Sequence, residues 1–84
     1  MDVRPTLISI GLRDGEAARW KRRTNERWSQ GRLAGVESDG SLRVIDNKGA
    51  TLSLPRERVE VRKGKSSWEP AAARAERTEQ LGLL

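Results

Sequence analysis

Cysteine, histidine, tyrosine and phenylalanine are all missing from this 84-residue chain. Without cysteine there is neither a disulfide framework nor a thiolate metal site to supplement a small core, and a reducing compartment, the cytoplasm by default, is the expectation. With histidine and cysteine go the commonest general base, the commonest metal ligand and the best thiol nucleophile; with tyrosine goes the phenolic acid. An enzyme would have to run on carboxylates, lysine or hydroxyls alone, and no paired carboxylates stand in an otherwise apolar setting. The expectation is a non-catalytic protein with no metal and no cofactor.

Long apolar runs are missing too. None approaches the roughly 18 residues of a membrane span, and "MDVRPTLISIGL" lacks the basic start and long apolar centre of a signal peptide. No stretch offers the broad apolar face that an interfacial helix needs, so a membrane surface is not an expected partner. Large apolar side chains are scarce: 35% of the residues are hydrophobic, and many of those are alanine. Near this length a single core rarely supplies more than roughly 3 to 5 kcal/mol. One domain, a compact barrel with tails, fits that supply better than a layered α/β enzyme.

What the chain does have is positive charge, 17 basic residues against 12 acidic ones, with an isoelectric point near 10.7. That balance points to a polyanion. Arginine supplies most of the basic residues, and its planar fork suits phosphate and base stacking better than a lysine point charge does. A high-GC genome would give the same bias with no physical cause.

From Arg32 onward a period of two is clear. Leu33 with Gly35, Leu42 with Val44, Leu52 with Leu54, and Val59 with Val61 each alternate with polar residues, which predicts four short strands. The breaks carry turn chemistry: Asp39-Gly40 at one tip, Asn47-Lys48-Gly49 at the next, and Pro55 closing the third strand. "RERV" after Pro55 reads as one 3₁₀ turn leading into a final strand, Val59 to Arg62. Meander, 3₁₀ turn and last strand is the order of a small SH3-like or Tudor-like barrel, in which closure removes exposed edges. Its six inward residues would be Leu42, Val44, Leu52, Leu54, Val59 and Val61.

The flanks are less regular. "TLISIGL", Thr6 to Leu12, reads as a strand ending at Asp14-Gly15. "EAARWKRRTNERW" is open between helix by propensity and a strand entering the barrel, with strand or irregular structure preferred for Arg19 to Arg27. The tail has Ser67 as a candidate cap, Pro70 near the first turn and good helix formers from Ala71 to Leu81. It divides the chain into a barrel, residues 1–68, and a helical or disordered tail, residues 69–84. So short a helix is marginal alone and needs Leu81, Leu83 or Leu84 to dock.

The strongest functional signal is "RWKRRTNERWSQGR", Arg19 to Arg32. Basic side chains there interleave with Trp20 and Trp28, as a single-stranded nucleic acid needs: cations for phosphates and indole faces for unpaired bases. Arg19, Lys21, Arg22, Arg23 and Arg27 are candidate phosphate contacts, and Trp20 a candidate stacking platform. Trp28 also reads as the largest core residue of the barrel. A second basic group includes Arg58, Arg62, Lys63 and Lys65. Arg58, Glu60 and Arg62 should share the solvent face, where a plain solvated surface explains them as well as a binding groove does. Three tryptophans without Phe or Tyr are too few for a methyl-ammonium cage, and the tail's near-neutral Arg74, Glu76, Arg77 and Glu79 do not suit a major groove.

"RRTNERW", "DGSLRV" and "GATLSLPRERV" together resemble the SH3-like barrel set into the helicase part of TraA/TrwC-type conjugative relaxases and related RecD-like superfamily 1 DNA helicases. The resemblance spans about Leu12 to Val61 and leaves out the tail from Glu69. It implies an SH3-like module of a DNA-processing protein, of the kind that stands beside a single-strand channel. The ATPase motifs of that family are not in these residues, so the resemblance assigns this chain no ATP binding or unwinding. The expected function is therefore a DNA-binding accessory module with single-stranded DNA as partner. The rival expectation is a protein-interaction module whose tail docks on a partner, as amphipathic helices do in apolar grooves.

Overall fold

The computed structural model describes residues 6–21, 23, 24 and 26–80. Six strands form one antiparallel sheet: β1 (Ala17–Trp20), β2 (Ser29–Val36), β3 (Leu42–Asp46), β4 (Thr51–Leu54), β5 (Val59–Lys63) and β6 (Ser67–Pro70). They lie in the order β4-β3-β2-β1-β5-β6. A helix, α1 (Ala71–Gln80), follows, and 3₁₀ turns occupy Ile8–Ile10 and Arg56–Arg58. The domain is thus mostly β, with a C-terminal helix. None of its described helices is long and apolar enough to cross a membrane.

Local chemistry accounts for the hairpins. Asp39 Oδ1 accepts from the Ser41 amide and Asp46 Oδ1 from those of Lys48 and Ala50. Those bonds, led by Ser41 and Ala50 respectively, hold both carboxyls below their ordinary values. Gly40 and Gly49 take positive φ at the same tips, 91° and 89°, where an L side chain would be strained. Gly31 answers a different need: a Cβ there would stand 2.0 Å from the Ile45 carbonyl oxygen and 2.8 Å from the Trp20 ring. The backbones of β2 and β3 could then not meet at that point.

Alternation buries Leu42, Val44, Val59 and Val61 completely, with Leu52 and Leu54 packed against them half-buried. Trp20, Leu12, Leu33 and Ala18 complete the centre. In β2 the expected face-sharing of Leu33 and Gly35 fails. A bulge between them leaves Leu33 opposite Val44 but Gly35 opposite Arg43. The extra residue reverses the alternation, and Val36, not Gly35, packs against the core.

The sheet does not close. β5 is bonded to β1 on one side and to β6 on the other, so neither of its edges is left for β4. The expected final strand is therefore followed by another, and Ser67 belongs to β6 rather than capping the helix. Thr6 to Leu12 is not a strand. Thr6 and Ser9 exchange hydroxyl and amide hydrogen bonds across three residues, which winds the segment into a 3₁₀ turn and buries Leu7 and Ile10 on one side.

The division at residue 69 runs through β6. Ala71 and Ala75 belong to the core cluster, so α1 docks through its small residues, while Leu81, Leu83 and Leu84 lie outside the described residues. Glu69 is buried at 6% exposure between Arg77 and Arg74. Arg74 also donates to Glu16 (2.7 Å) and to the Gly11 carbonyl (3.3 Å), stapling the tail to the N-terminal segment. The hydrogen bond from Arg77 holds the Glu69 carboxyl below the ordinary glutamate value against the opposing effect of burial, and Arg74's charge helps.

Candidate nucleic-acid interface

Side chains alternate across β1, so with Ala18 and Trp20 inward, Arg19 faces out. Its register partners are Gln30 on β2 and Glu60 on β5. On the far side of β5, Arg62 stands opposite Trp68 of β6. Lys21 follows β1 directly and Trp28 precedes β2, so both flank the same end of that strand pair.

The outward side chains form a ladder of alternating cations and indoles. The Arg19 guanidinium lies 4.0 Å from the centre of the Trp28 ring and 4.7 Å from that of Trp68. Lys21 Nζ lies 4.6 Å from Trp28, and the Arg62 guanidinium 4.6 Å from Trp68. The order is Lys21, Trp28, Arg19, Trp68, Arg62. One carboxylate enters it: Glu60 Oε1 accepts from Arg19 Nε (2.8 Å) and lies 2.7 Å from Nη2 in an ion pair. Arg58 donates to the Lys21 carbonyl and Arg62 to that of Lys65, which ties the 3₁₀ turn and the β5–β6 turn to this face.

The ladder gathers Arg19, Lys21 and Arg62 from the residues expected on sequence grounds, with Arg58 against its backbone. Arg23 and Arg27 are exposed between β1 and β2, and Lys63 and Lys65 are exposed around the β5–β6 turn. Arg22 lies outside the described residues. Trp20 is a correction: at 0% exposure it has no face to offer a base, because the parity that turns Arg19 outward turns Trp20 into the core. Trp28, by contrast, is 38% exposed and is not the core tryptophan.

Two members of the site escaped the sequence reading. Trp68 is not among the expected site residues, although "VRKGKSSW" carries a Gly-centred turn between two extended stretches, which is the signal of a β5–β6 hairpin. Glu60 was legible as outward but not as Arg19's partner, since that pairing joins residues 41 positions apart.

No family model matches this chain, and no match is found among curated proteins or among solved structures.

Proposed function

We propose that this chain is a non-catalytic nucleic-acid-binding module of a DNA-processing protein of relaxase or helicase type, and that it holds single-stranded DNA on the ladder face. The carrying observation is the interleaving of two surface indoles with Lys21, Arg19 and Arg62. The SH3-like reading is supported by strand order and by the 3₁₀ turn before β5, with β6 and α1 as additions.

Magnitudes favour a base over the outer cations. A cation on an exposed indole is worth about 0.5 to 1 kcal/mol, whereas a base stacked on an aromatic side chain is worth about 1 to 3 kcal/mol. A base can therefore replace Lys21 on Trp28 or Arg62 on Trp68, and the released cation meets the flanking phosphate. The rival reading, a tail that docks on a partner protein, loses support from α1, whose Ala71 and Ala75 are already buried in this domain.

Titration of a labelled single-stranded oligonucleotide at two salt concentrations tests the proposal. Trp68→Ala should weaken binding by about 1 to 3 kcal/mol with the salt slope nearly unchanged, because stacking releases no counterions. Arg62→Ala should flatten the slope by about one unit. Absence of binding near about 50 mM salt, where phosphate contacts are strong, would overturn it.

A further inference from the structure

Glu60 is a carboxylate at the centre of a basic face, where it can neither stack a base nor hold a phosphate. Its Oε1 accepts from Arg19 Nε and forms an ion pair with Nη2, and both side chains keep about a quarter of their surface exposed. Among the described residues no carboxylate pairs with Lys21 or Arg62, so the ladder carries uncompensated charge at its ends and a neutralised pair in its middle.

We infer, resting on the interface just proposed, that Glu60 makes this face selective for unpaired bases against duplex backbone. A duplex keeps its bases stacked and paired, so it can only lay phosphates across the face, and a phosphate over the middle finds Arg19 already neutralised by Glu60 and gains no net attraction there. A single strand has another option. It can turn neutral bases toward Trp28 and Trp68 and leave its phosphates to Lys21 and Arg62. Glu60 thus withholds the central cation from the first mode and spares the second. Arg19 acts as a fixed plane between the indoles, held by Glu60, and not as a phosphate contact.

The test compares a labelled oligothymidylate with a duplex of the same length at one salt concentration. Glu60→Gln keeps the shape and an acceptor for Arg19 but removes the charge. Duplex affinity should rise about tenfold while single-strand affinity stays within about threefold, since only the duplex mode crosses the carboxylate. Glu37→Gln changes net charge equally at the opposite end of β2, where Glu37 pairs with Arg43, and should leave the ratio of affinities as it is in the wild type. Thermal unfolding reports whether each variant folds, and Glu60→Ala with the same readout covers a misfolded Gln variant. An equal rise in both affinities, or no rise in either, overturns the selectivity while leaving the interface standing. Wild-type protein that binds neither oligonucleotide at low salt overturns both.

Discussion

Trp20 and Trp28 are eight positions apart and both neighbour basic residues, yet one is wholly buried and the other lies under two cations. Strand parity separates them. Burial gives Trp20 an unusual property, because its Nε1 has no hydrogen-bond partner among the described residues. An unpaired buried donor costs about 1 to 3 kcal/mol, so its ring contributes less than its area implies. Trp20→Ala should cost about 3 to 5 kcal/mol and leave little of a domain this small folded. Trp20→Phe loses volume but also removes the stranded N–H, and should cost distinctly less. Urea denaturation of the two variants decides: equal losses would mean that the indole nitrogen is satisfied in solution. Trp28→Ala and Trp68→Ala, at the surface, should each shift stability by no more than about 1 kcal/mol.

At the scale of elements, β6 and α1 change what the tail is. A near-neutral set of Arg74, Glu76, Arg77 and Glu79 gave no reason to dock a helix, because the charge that two of them answer, Glu69, is one strand earlier and buried. That pairing makes the attachment sensitive to acid. The folded carboxyl titrates below the ordinary glutamate value, chiefly through Arg77's hydrogen bond. The unfolded chain therefore binds the proton first as pH falls. The stability due to this group is complete above the unfolded value, about 4.3, and is lost as pH drops through the lower folded value. Melting followed by circular dichroism should show the wild-type midpoint falling between about pH 5 and pH 2. Glu69→Gln, which has no proton to take up, should show a shallower fall in that window. Some slope should remain, because Glu37, Asp39 and Asp46 are also held below their ordinary values. An acid profile of Glu69→Gln parallel to the wild type would show that the two arginines do not anchor α1 through this carboxylate.

For the whole molecule, what was legible in the residues was local. Strands β3 to β5 and their tips follow from alternation and from Asp-Gly and Asn-Lys-Gly chemistry, all within a few residues. The ladder was not legible, because Arg19 meets Glu60, and Trp28 and Trp68 meet Arg19, only after distant strands are paired in register. The open sheet has a local cause instead: the chain turns at Gly64 and β6 takes the free edge of β5, a hairpin whose signal lies in "VRKGKSSW" and not in the meander. An open sheet and a closed barrel differ in a measurable way. In the open order β1 is bonded on both sides, to β2 and β5, while β4 is bonded only to β3. The amides of Ala18 and Trp20 should then exchange with solvent only through global unfolding, whereas alternate amides of Thr51–Leu54 point to an unbonded edge and should exchange through local opening at far lower free energy. Native-state hydrogen exchange read by NMR separates the cases residue by residue. If all four β4 amides are protected as strongly as those of β1, the edge is covered in solution and the sheet is closed. If only alternate ones are, the molecule presents an unpaired strand edge on the β4 side and keeps its ladder of cations and indoles on the opposite, β1–β5–β6 side.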